Sequence, residues 1–185
     1  STGSFSGWNP GASIDAALAL ACTDNDLRTA GTYAKLPLDY LSREAAAYAA
    51  TSAAAAGKMA TGIVLAGGSP RNIQGTNLVI SMTQEYSPTS GAYGSGNVWD
   101  QSWSMLGMLA AGAPLPPASI THLQSLQETD GGWGSVDGTA LALQTLAAAG
   151  IGENQNSVTQ GLDYLKATQN HDAGWGSSST YPATN

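Results

Sequence analysis

A glycine turn carrying a tryptophan occurs twice in one register. "DGGWGS" spans 130–135 and "DAGWGS" spans 172–177, so that Trp133 and Trp175 stand 42 residues apart. Upstream, "SGAYGSG" at 90–96 puts Tyr93 in the same slot, 40 residues before Trp133, and "FSGWNPG" puts Trp8 there about two periods earlier. The slot near residue 50 is degenerate, with "TSAAAAG" and no aromatic. Two further motifs keep the register. "LDYL" recurs at 38–41 and 162–165, and Gln127 of "ITHLQSLQ" pairs with Gln169 of "LDYLKATQ". The ending "AG" returns in "LAGG" at 65–68, "LAAG" at 109–112 and "AAAG" at 147–150. Self-similarity at a fixed spacing of about 40 residues is the mark of a repeat architecture, in which each unit buries its apolar face against the next.

Each unit reads as two helices. The first, "DGTALALQTLAAA" at 137–149, is apolar or small around nearly its whole circumference, which predicts burial on most sides. Asp137 stands where an N-cap belongs and Gly150 where a left-handed C-cap belongs. The second, at 156–169, places Val158, Leu162, Leu165 and Gln169 on one stripe, with Thr159, Asp163 and Lys166 facing away. Extended along the chain, the pattern predicts helices at 11–22, 36–50, 57–66, 75–86, 98–111, 116–127, 137–149 and 156–169. No strand pattern is present. The expected architecture is all-α: four helical hairpins in an inner, alanine-rich layer and an outer, amphipathic one.

Composition bounds the partners. Charged residues make up 10% of the chain and the net charge is -7, with six Lys plus Arg in all. Such a chain lacks the basic patches that nucleic acids and anionic membranes require. No apolar run reaches the length of a bilayer span. The single cysteine, Cys22, excludes an internal disulfide framework. Low charge and abundant Ser, Thr, Asn and Gln point to an extracellular or cell-surface setting.

"LQETDGGWGS" at 126–135 and, more loosely, "ATQNHDAGWGS" at 167–177 resemble the Gln-Trp repeat of terpenoid cyclases and the related repeat of protein prenyltransferase subunits. The resemblance is strongest over 90–177 and faint over 1–89. It implies an α/α toroid, an inner ring of helices inside an outer ring. It also implies that Gln127 with Trp133, and Gln169 with Trp175, tie consecutive repeats together, while Tyr93 and Trp8 match only the aromatic position. A family toroid closes with about six hairpins, so four imply a partial or open ring. Residues 1–185 then form one repeat domain of a longer protein, with self-association through the repeat ends as an expectation.

The catalytic motifs of these families are missing from the sequence. It contains no DxDD general acid and no DDxxD stretch for magnesium and diphosphate. Asp24 and Asp26 in "CTDNDLR" stand in a helix-to-helix loop, where Asp and Asn are ordinary turn residues. Cys22, His122 and His171 are scattered without zinc-ligand spacing, His122 reading as an outer-helix surface residue. No thioester pairing of Cys with Gln is present, and no cofactor or metal is expected. One cluster combines aromatics with an acid: "NVWDQSW" at 97–103. Trp99 and Trp103 lie one helical turn apart with Asp100 between. In one reading Asp100 is an N-cap aligned with Asp137 and the tryptophans are core. In the other they line a cavity mouth that stacks on an apolar, sugar-like or corrin-like ligand. The functional expectation is a non-catalytic ligand-binding or structural module of a larger, secreted bacterial protein. The alternatives are a fragment of a cyclase or prenyltransferase-like enzyme whose acid motif lies elsewhere, and a helical binding domain like that of cobalamin carriers.

Overall fold

Local punctuation sets the helix boundaries. In the computed structural model, which describes residues 10–23 and 37–176, eight helices follow in order: α1 Pro10–Ala21, α2 Pro37–Ala49, α3 Ala53–Leu65, α4 Leu78–Gln84, α5 Val98–Ala110, α6 Pro117–Ser125, α7 Val136–Ala148 and α8 Asn156–Thr168. Prolines open α1, α2 and α6, where the first helical N–H has no intrahelical partner to lose. Short polar side chains cap α3, α4, α5 and α7: Ser52 accepts from the Ala55 N–H, Asn77 from Ile80, Asn97 from Trp99 and Asp100, and Ser135 from Gly138. The recurring "AG" is a left-handed stop. Gly67, Gly112 and Gly150 have φ of 84°, 62° and 80°, and in each case the following residue donates to a carbonyl five positions back.

The odd-numbered helices pack side by side, α1 on α3, α3 on α5 and α5 on α7, and each even-numbered helix packs on the odd helix before it. Two layers of helical hairpins result, the α/α-toroid arrangement, and the described residues contain no strand. Met59, Ile63, Leu78, Met82, Met105, Leu123 and Leu146, drawn from both layers, are fully buried between them. Within the inner layer α3 and α5 cross backbone to backbone. A Cβ on Gly57 would lie 2.1 Å from the Trp103 carbonyl oxygen, and one on Gly107 would lie 2.6 Å from the Gly57 Cα.

Several expectations are corrected. Helix α3 begins at Ala53 rather than 57, because Ser52 caps it and the whole alanine run is helical. Helix α4 is shorter than 75–86. Gln74 and Gly75 take φ of 47° and 82°, and Ile73 and Thr76 exchange backbone hydrogen bonds, so the helix waits for the Asn77 cap. Neither Asp137 nor Asp100 is an N-cap; Ser135 and Asn97 hold those positions, and Asp137 is exposed in the first turn. The inner helices are not buried all round. Asp137, Gln144, Ala147 and Ala148 of α7 are exposed, and so are Ala12, Asp15 and Ala19 of α1. In α8 the buried positions are Val158 and Gly161, whereas Leu162 is 40% exposed. Glycine at 161 draws the turn 128–135 against that side of the helix.

Candidate functional site

The solvent-facing side of the inner layer carries the tryptophan pair. Trp99 is 43% exposed at the start of α5, and Trp103, one turn on, is half-buried. The Lys58 ammonium of α3 sits 5.3 Å from the Trp103 ring centroid and pairs with Asp15 of α1 at 2.6 Å. A row of acid, amine and indole therefore runs across three neighbouring inner helices. Lys58 was not singled out from the sequence, since a lone lysine in an alanine helix gives no periodic signal.

Asp100 does not join that surface. It is 9% exposed, and its Oδ1 accepts from the Ala54 N–H of α3 at 3.0 Å. Its Oδ2 accepts from the Ser95 N–H at 3.0 Å and the Ser95 hydroxyl at 2.7 Å. The carboxylate thus answers an orphan donor at the N-terminal end of α3 and ties down the turn before α5, and its negative charge lies in the first turn of α5, where it complements the helix dipole. Asp100→Ala is expected to cost about 2 kcal/mol by leaving those donors unsatisfied, measured as a fall in the urea midpoint. Loss of a ligand without loss of stability would contradict the structural role.

The glycine turns form a second constellation. The Trp133 N–H donates to the Thr139 hydroxyl at 2.9 Å, and its Nε1 donates to the Leu123 carbonyl of α6 at 2.8 Å. The far edge of the ring rests on Gly161 of α8, where a Cβ would come within 2.9 Å. Trp133 is 3% exposed and touches consecutive outer helices, α6 and α8. Gln127 Nε2 donates to the Gly131 carbonyl of the turn and the Ser157 carbonyl of α8, both at 2.8 Å. Two of these bonds recur one period later: Gln169 Nε2 to the Ala173 carbonyl at 2.7 Å and Trp175 Nε1 to the Leu165 carbonyl at 2.8 Å. Trp175, however, is 43% exposed.

Ala173 takes φ 67° where Gly131 takes 89°. A left-handed L-residue is strained by about 1–2 kcal/mol, against a smaller entropic cost for glycine. Ala173→Gly is therefore expected to stabilise by about 0.5–1 kcal/mol, read as a raised melting temperature.

The turn before α5 is built from different donors. Tyr93 is 1% exposed and packs at 4.9 Å on Tyr86, which stands in the slot of Gln127. Its N–H donates to Gln101 Oε1 at 2.9 Å, and Gln101 Nε2 donates to the Gly91 carbonyl at 3.1 Å and the Ser119 carbonyl of α6 at 2.8 Å. Burial, with the neighbouring Tyr86, pushes the Tyr93 phenol up to about 12. His122 is half-buried and its Nε2 lies 2.9 Å from the Gly96 carbonyl, so it buttresses this turn rather than facing solvent freely. His171 and Cys22 are exposed, and no cluster of three or more metal-ligating side chains occurs among the described residues. Trp8, Asp24 and Asp26 lie outside the described residues.

No curated protein matches the chain. The model of the squalene-hopene cyclase C-terminal domain family matches residues 118–184, a span that takes in nearly all of α6, both helices of the last hairpin and both Gln-to-Trp turns. Over that span the chain is similar to the squalene-hopene cyclase C-terminal domain, which is consistent with a terpenoid cyclase-like partial repeat domain.

Proposed function

We propose that this repeat domain is a non-catalytic module of a larger extracellular protein, and that it binds through the solvent-facing side of its inner helices. The observation that carries the reading is the state of Asp100. It is the one carboxylate between Trp99 and Trp103 in the helix, and both of its oxygens accept backbone N–H groups. A general acid must present a proton to the substrate, and this carboxylate is turned inward as a structural acceptor. What remains on the surface is an indole pair beside an ion-paired lysine, a stacking platform suited to apolar or sugar-like molecules.

The test is an assay of the longest natural polypeptide containing these residues. Given squalene or prenyl diphosphates, with magnesium or zinc, it is expected to form no cyclised or transferred product. Product above a boiled control would overturn the module reading in favour of an enzyme whose acid motif lies outside these residues.

A further inference from the structure

On the outer surface, away from the tryptophan row, a cavity of about 320 Å³ opens between α4, the end of α5 and the connection that leads into α6. Its walls include Val79 of α4, Met108 of α5, Pro116, and the paired rings of Tyr86 and Tyr93. Arg71 stands among the lining residues. Its Nη2 donates to the Ala111 carbonyl at 3.3 Å, which fixes the guanidinium beside the opening and engages one of five donors. Prolines 114 and 116 hold the adjoining rim in a fixed conformation.

Tyr93 supplies a second polar group. The residue is 1% exposed, and the hydrogen bonds it forms among the described residues come from its backbone: N–H to Gln101 and carbonyl from the Gly96 N–H. Its phenol, raised to about 12, stays protonated at neutral pH and retains a donor. A buried aromatic wall with one unengaged hydroxyl and one cation at the rim is a recognition pattern of its own, since ligand pockets are mainly apolar with a few placed polar groups. Few cations are available to make it: the chain has six Lys plus Arg against thirteen Asp plus Glu.

We infer that this cavity binds a small carboxylate with an apolar body, the carboxylate at Arg71 and the body against Met108 and the tyrosine pair. The volume, at the low end for ligand sites, holds a body of roughly a dozen heavy atoms. The site is independent of the inner-layer surface and stands or falls separately from it.

The four methionines give a direct readout, because Met108 lines the cavity while Met59, Met82 and Met105 are fully buried in the core. Protein labelled with ¹³C in the methionine methyls is titrated with 4-phenylbutyrate and, separately, with neutral 4-phenylbutan-1-ol. The Met108 signal is expected to shift saturably, with the three core methyls shifting less, and the acid is expected to bind more tightly than the alcohol. Arg71→Ala should weaken the acid about fivefold, the factor an exposed ion pair contributes at its upper end, and leave the alcohol within about twofold. Arg71 is exposed, so the variant retains the fold. Absence of a saturable Met108 shift, equal affinity for acid and alcohol, or an acid preference that survives Arg71→Ala would each overturn the assignment.

Discussion

Gly57→Ala is expected to lower stability by about 3 kcal/mol or more, although alanine is the better helix former by about 1 kcal/mol. On an open helix face the propensity gain decides the sign. Here the new Cβ would sit 2.1 Å from the carbonyl oxygen and 2.3 Å from the carbonyl carbon of Trp103, both backbone atoms of α5. Helix α5 would have to move away by more than an ångström along a crossing that also seats Gly107 against Gly57. No rotamer can relieve such a clash. Gly152→Ala is the control, because nothing lies within 4 Å of its Cβ position. Urea unfolding should show a large fall in midpoint for Gly57→Ala and little change for Gly152→Ala. An unchanged midpoint for both would mean that α3 and α5 do not cross at these glycines.

Trp133→Ala should cost about 3–5 kcal/mol, the range for truncating a buried tryptophan. The loss includes the ring's contact with Gly161 and the bond from Nε1 to the Leu123 carbonyl, so α6 and α8 lose a shared anchor. Trp133→Phe keeps most of the contact and forfeits the bond, at an expected cost of about 1–2 kcal/mol. Trp175→Ala provides an internal comparison. Its indole makes the equivalent bond to Leu165 while 43% exposed, so the loss should be less than half that at Trp133. Equal losses at the two positions would show that the bond, rather than burial between two outer helices, sets the energy.

The helices were readable because period and punctuation agreed. The small and apolar runs of α3, α5 and α7 end at a glycine that the structure places at positive φ, Gly67, Gly112 and Gly150. Boundaries failed where a short polar residue outcompeted a more conspicuous one. Ser52 starts α3 at Ala53, four residues before the expected 57, and Asn97 and Ser135 cap their helices three and two positions before Asp100 and Asp137. Asp100 illustrates the limit for a site. Its partner Ala54 lies 46 residues away in the chain, and no local pattern announces a carboxylate that serves the adjacent helix. Lys58 over Trp103 and the Arg71 cavity were hidden for the same reason, since each joins side chains from different hairpins.

Gln101 and Gln127 approach comparable pairs of carbonyls, one in a glycine turn and one at the start of the following outer helix, from opposite sides. One comes from the inner helix after its turn, the other from the end of the outer helix before it. The unit that recurs is thus a pair of acceptors awaiting an amide, and the position supplying the amide is free to migrate. A repeat counted by its glutamine will therefore be missed wherever the amide has changed sides. Counting instead by the unmet carbonyls makes the hairpin with Tyr86 and Tyr93 as full a unit as the one that follows it, and gives a rule for tracing degenerate repeats in chains whose motif spells differently.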